Sequence, residues 1–136
     1  MKRLFVYGTL RRGGSNDIGR LVPEAKRLSV ARVRGTLYDL GAYPALVISA
    51  AAGWVAGEVY AVPDAGWPRL DALEGVADDR HPDGEYFRVV ASVELQDGST
   101  AECEIYVANP AVLRLDRPIA SGDWLVHAAG AGGRPG

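Results

Sequence analysis

Apolar positions in this chain fall mostly into short β-rich runs cut by glycine and proline. That pattern predicts strands joined by tight turns. Leu4, Phe5, Val6 and Tyr7 form the first run, ended by Gly8, and read as a buried strand. Residues 9–20 hold three glycines with Ser15, Asn16 and Asp17, which predicts a loop with one helical turn near Ile18. A long strand is expected over 28–40, a turn over Gly41-Ala42-Tyr43-Pro44, and strands over 45–48 and 54–62. Gly53 and Gly57 interrupt this last pair, where glycine marks a bulge or a close backbone approach. Strands over 86–95 and 100–107 flank Gln96-Asp97-Gly98-Ser99, and Asp-Gly between two β-rich runs predicts a tight hairpin. A two-residue turn sets Leu95 opposite Thr100 and Val89 opposite Tyr106. Apolar residues then lie on both faces near the open end, as a closed or strongly curled sheet requires.

Residues 64–74 carry the clearest helical pattern. Asp64 is placed to cap it, Pro68 is tolerated in the first turn, and Gly75 ends it. About six strands with one or two short helices give an α+β domain on a small, curled, mostly antiparallel β-barrel-like sheet. One domain is expected over residues 1–127. Residues 128–136 are small and glycine-rich and read as a flexible tail.

Composition narrows the function. The chain has 136 residues and a formal net charge of −2, so a nucleic-acid binder held by general electrostatics is not expected. One cysteine, Cys103, and two histidines, His81 and His127, offer neither a disulfide framework nor a multi-cysteine zinc site. No apolar run approaches the roughly 20 residues that span a bilayer. The first residues read as a strand, since the apolar stretch is too short for a signal peptide. A cytoplasmic protein without metal or membrane partner is the expectation.

One carboxylate stands in an unusual place. At about 100° per residue, Trp67, Leu70 and Glu74 share one narrow helical stripe, so Glu74 is aimed toward the core. It also sits in the last turn, where the helix dipole is negative. Burial and dipole both disfavour its ionised form and raise its pKa toward the range of acid–base chemistry. The competing reading is a frayed last turn with Glu74 in water. A second feature is Val6-Tyr7-Gly8-Thr9-Leu10. A buried strand that breaks at glycine exposes N–H groups able to bind a carboxylate or an oxyanion, unless the break is only a strand-to-loop turn. It is neither a dinucleotide fingerprint nor a P-loop.

Taken in order, several segments resemble the gamma-glutamylcyclotransferase-like family. They are Tyr7-Gly8-Thr9-Leu10, then Gly35-Thr36-Leu37-Tyr38-Asp39-Leu40-Gly41-Ala42-Tyr43-Pro44-Ala45, then Gly57-Glu58-Val59-Tyr60. Leu70-Asp71-Ala72-Leu73-Glu74-Gly75 and Tyr86-Phe87-Arg88 follow, with Ile105-Tyr106-Val107 and Ser121-Gly122-Asp123-Trp124 toward the end. The resemblance implies a curled barrel and an enzyme that releases 5-oxoproline and an amine or amino acid from a small γ-glutamyl substrate, without a cofactor. It implies Glu74 as the catalytic acid, and Tyr7, Gly8, Thr9, Leu10 and Tyr106 as substrate-binding residues. An alternative is a non-catalytic module that binds a small metabolite on the same fold. The segment from Glu74 to Tyr86 is longer than the family's compact spacing, with a charged insert over 76–85 that could form a lid or alter the mouth of the pocket. Arg88 reads either as a contact to the substrate carboxylate or as a strand arginine paired with an acid. Arg11 and Arg12 flank the Gly8 turn, and read either as attractors of an anionic substrate or as surface arginines that serve only solubility. Tyr38, Tyr43 and Tyr60 read either as pocket walls or as core residues with a hydroxyl at the rim, and Cys103 reads as a small core residue.

Overall fold

The computed structural model describes residues 1–78 and 81–132. Six strands form its sheet: β1 (Lys2–Val6), β2 (Lys26–Asp39), β3 (Pro44–Ile48), β4 (Trp54–Val62), β5 (Tyr86–Leu95) and β6 (Thr100–Ala108). Three helices accompany them, α1 (Ile18–Leu21), α2 (Trp67–Glu74) and α3 (Trp124–Gly132).

β1 is apolar on both faces from Leu4 to Val6, and the topology uses both. Leu4 and Val6 enter one buried cluster with Ile18, Val22, Trp67 and Leu70. Phe5 enters the other, with Val59, Val93, Cys103 and Ile105. The second cluster fills the interior of a barrel, and the first lies between its wall and the short helices. β1 pairs antiparallel with β4 and parallel with β6. β2 pairs antiparallel with β4 and also reaches β5, which closes the five-stranded ring. β3 is added to β2 outside the ring. The barrel is therefore curled and mostly antiparallel, with one parallel pair between β1 and β6. Each fully buried Leu, Val or Phe side chain contributes about 1.5–3 kcal/mol to this arrangement.

Gly57 marks the close approach expected of it. A Cβ there would lie 2.2 Å from the Val6 carbonyl oxygen and 2.7 Å from the Phe5 ring. The β5–β6 hairpin differs by one residue from the sequence expectation. Glu94 faces Thr100, Val89 faces Ile105 and Arg88 faces Tyr106. The turn holds three residues, because Gly98 takes φ 86° and adds a bulge to the tight turn. Both faces of β6 are still buried at Ile105 and Tyr106.

The helical segment begins with a 3-10 turn over Asp64–Gly66, so Asp64 lies inside it and caps nothing with its side chain. Gly75 ends α2 in the left-handed conformation, φ 59°. The glycine-rich end also differs from expectation: α3 continues through positions 128–132. Trp124, Leu125 and Ala128 pack against the barrel interior cluster, and alanine favours helix once one face is anchored. The rest of the expected tail, 133–136, lies outside the described residues.

Candidate active site

A small cleft opens where β1 breaks into its glycine turn. The end of α2 and the facing sides of β5 and β6 form its other walls. Tyr7, Gly8, Thr9, Leu10, Glu74 and Tyr106 all line it. The catalytic and substrate-binding residues that the resemblance implied are thus brought to one place. Tyr43, Pro44 and Tyr86 complete the wall.

Glu74 reaches the cleft through the stripe read from the sequence. Trp67 and Leu70 are buried on α2, and the same face aims Glu74 inward. Its carboxyl has no hydrogen-bond partner among the described residues. Burial, and then the negative charge of Glu85, push it up to about 7. Glu85 is held close by the backbone. The Tyr86 N–H donates to the Gly75 carbonyl at 3.4 Å, and Ala77 N–H donates to the Tyr86 carbonyl at 2.6 Å. The Glu85 carboxylate accepts from the Tyr43 hydroxyl at 2.8 Å.

The opposite wall is backbone. Arg11 N–H donates to the Gly8 carbonyl at 3.0 Å, closing a tight turn. Gly8 is required because the Pro44 ring packs on it, 2.7 Å from where a Cβ would stand. The N–H groups of Gly8, Thr9 and Leu10 find no acceptor among the described residues. Such a turn can take a carboxylate or a developing oxyanion. Arg11 does not face incoming substrate. Its guanidinium turns inward to an ion pair with Glu58, which is 2% exposed, and reaches Asp123 at 3.0 Å. Glu58 also accepts the Arg12 N–H at 2.9 Å. The charge read as an attractor is consumed in anchoring the turn.

The four tyrosines of the cleft all direct their protons to protein acceptors. Tyr7 donates to the Tyr106 carbonyl at 2.6 Å and accepts the Leu46 N–H at 3.3 Å. Tyr86 donates to the Pro44 carbonyl at 2.7 Å. Tyr106 donates to Asp71 at 2.7 Å, and Tyr43 to Glu85 as above. Arg88 lies behind this wall, paired with Asp71 at 3.3 Å and stacked on Trp67. Of its two readings, the structure favours the paired strand arginine. Tyr38 and Tyr60 do not line the cleft. Cys103 is buried in the barrel, which pushes its thiol up to about 11. His81 is exposed beside Asp78.

Sequence reasoning missed Asp71, Glu85 and Tyr86. Asp71 carried a usable signal, since it stands three residues before Glu74 and therefore on the same helical face. Glu85 and Tyr86 carried none, because the insert hides which residue meets α2. Among the described residues no three His, Cys, Asp or Glu side chains gather in a metal-binding arrangement. No described helix is long and apolar enough to cross a membrane.

Comparison with known proteins gives the same direction. A family model described as gamma-glutamyl cyclotransferase, AIG2-like, matches residues 4–126. A Halalkalibacterium halodurans protein named "Putative gamma-glutamylcyclotransferase" is 42% identical over 94 residues, 68% of this chain and 80% of that one. The gamma-L-glutamyl-butirosin B gamma-glutamyl cyclotransferase of Niallia circulans is 43% identical over 76 residues, 54% of this chain and 46% of that one. Among solved structures, YkqA from Bacillus subtilis superposes with a TM-score of 0.75 at 27% identity, over 98% of this chain. This chain spans 43% of that protein.

Proposed function

Because the chain belongs to the gamma-glutamyl cyclotransferase, AIG2-like family, we propose that it is a cofactor-independent cyclotransferase acting on γ-glutamyl amides. Its products are 5-oxoproline and the departing amine or amino acid. The observation that carries the reading is Glu74, a carboxyl raised to about 7 and left without a partner in a cleft whose other wall is unpaired backbone N–H. The Niallia circulans relative, whose name specifies a γ-glutamyl compound, supports that substrate class.

The substrate's α-amine attacks its own γ-carbonyl carbon. A C–N bond forms, and a five-membered ring closes around a tetrahedral intermediate with a negative oxygen. Attack within one bound molecule supplies up to about 7–11 kcal/mol of the barrier when the chain is held folded. Glu74 as carboxylate takes a proton from the amine. As carboxylic acid it gives one to the leaving nitrogen as the amide C–N bond breaks. Of the three protons on the starting α-ammonium, one stays on the lactam nitrogen and two end on the departing ammonium. A group titrating at about 7 populates both forms near neutral pH, and such transfer contributes about 10²–10⁴-fold. The turn at Gly8, Thr9 and Leu10 holds the substrate carboxylate or the oxyanion.

The test is incubation with a panel of γ-glutamyl amines and dipeptides, read by mass spectrometry for 5-oxoproline, with Glu74→Gln in parallel. Release by wild type with a loss of about 10²–10⁴-fold in the variant is expected. Binding of the panel by both proteins without release would move the chain to the class of metabolite-binding modules.

A further inference from the structure

We propose that Asp71 is a positioning residue that makes Tyr106 a hydrogen-bond acceptor toward the cleft, where that oxygen holds the substrate's α-amino group. This rests on the cyclotransferase reading and assigns one wall of its site.

Asp71 is ion-paired to Arg88, with Arg88 Nε 3.3 Å from Asp71 Oδ1. An ionised carboxylate has only acceptor sites. The 2.7 Å bond between Tyr106 Oη and the same Oδ1 is therefore donated by the phenol. Tyr106 has one proton, so its remaining capacity is two lone pairs, on a residue that lines the cleft. Arg88 is fixed in turn by stacking 4.6 Å over Trp67 and by Glu104 at 3.6 Å. The Asp71 carboxylate is held from behind while it holds Tyr106 in front.

The neighbouring phenol repeats the pattern. Tyr86 gives its proton to the Pro44 carbonyl, lines the same cleft and keeps its lone pairs. With Glu74 beside them, this wall presents acceptors, while the Gly8 turn presents donors. A zwitterionic glutamyl end has one group of each kind. Its ammonium is matched by the tyrosine wall, and its carboxylate is not. Once Glu74 removes a proton, the amine still has N–H bonds to give Tyr106. Its lone pair is then left for the γ-carbonyl. Asp71 touches neither the amine nor the carbonyl and acts through the phenol. Its place three residues before Glu74 ties both functions to one helical face.

The experiment compares two ligands that differ only in the α-amino group, L-glutamine and glutaramate. Calorimetry is run on the Glu74→Gln chain so that the amide is not consumed, and 5-oxoproline release by wild type is assayed separately. With Asp71 and Tyr106 intact, L-glutamine should bind about tenfold more tightly than glutaramate, as fits hydrogen bonds from a charged donor. Adding Asp71→Leu, which leaves no acceptor for the phenol proton, or Tyr106→Phe should remove most of that preference by weakening L-glutamine alone. Two variants guard against a folding defect in either one, and glutaramate binding reports the rest of the site. Equal weakening of both ligands would reduce Asp71 to a structural role and overturn the proposal. So would the absence of any preference for L-glutamine in the chain with both residues intact. A preference lost as expected without 5-oxoproline release from any γ-glutamyl amide would keep the amino-group site and sink the cyclotransferase reading. Release with an unchanged preference in both variants would do the reverse.

Discussion

Glu58 is buried and Glu74 is half-buried at the cleft, and the two glutamates have opposite surroundings. Glu58 stands on β4 and meets the Arg11 guanidinium, the Arg12 N–H and, at 3.4 Å, the Tyr60 hydroxyl. Glu74 ends α2, meets no hydrogen-bond donor among the described residues, and has Glu85 as its charged neighbour. Burial alone therefore does not make a reactive acid. A buried carboxylate with a cation and N–H donors is an anchor. One with neither, beside a like charge, is driven toward its neutral form and left free to exchange a proton. The two sit at opposite ends of one short path, since Glu58 fixes the turn and Glu74 faces it across the cleft.

The largest effect is expected on the Glu58 side. Arg11→Met leaves a buried carboxylate without its cation and should cost about 3–5 kcal/mol of stability, read by urea unfolding. Adding Glu58→Leu removes the stranded charge and should recover most of that loss. A single variant that loses under about 1 kcal/mol would show that the Arg11 pair is not what holds Glu58.

On the Glu74 side the sign reverses. Its folded pKa of about 7 lies above the ordinary 4.5, so the folded chain binds this proton more tightly than the unfolded chain. The stability it gives is complete below about pH 4.5, falls as pH rises toward 7, and is absent above. A gap of about 2.5 units between 4.5 and about 7 corresponds to about 3 kcal/mol. Glu74→Gln carries no such slope. Relative to wild type it should gain about 3 kcal/mol between pH 4 and pH 8 in the same urea titration. A parallel pH dependence in both proteins would place Glu74 in water. Lost activity with gained stability is the expected mark of a group kept for chemistry.

Much of this contrast was legible in the chain. The 3.6-residue period aimed Glu74 inward, because Trp67 and Leu70 on the same stripe had nowhere else to go. The break at Gly8 located the opposing turn. Glu58 was invisible, since alternation along β4 marks a strand but not which polar position closes inside a barrel. Arg11 was misread for the same reason: a basic residue in a polar loop looks exposed until Glu58 and Asp123 are brought to it across 47 and 112 residues. The hairpin slipped by one because Gly98 was free to take a left-handed conformation. Asp-Gly does not distinguish a two-residue turn from a three-residue one. Local periodicity survives folding, and partners distant in sequence do not show in it.

The finest probe separates the two causes acting on Glu74. Burial is the larger and Glu85 the smaller. Glu85→Gln removes the like charge while keeping shape and an acceptor for Tyr43. The low-pH limb of kcat/KM, where activity rises as Glu74 ionises, should then move to lower pH by less than about one unit. It should remain above the ordinary 4.5 of a glutamate, because the cleft still excludes water. Solvent at the mouth screens Glu85 and keeps its share small. A limb that falls all the way to the ordinary value would make charge the dominant cause and burial the minor one. A limb that does not move at all would mean that Glu85 is screened from Glu74 in the working enzyme, and that desolvation alone separates this glutamate from Glu58.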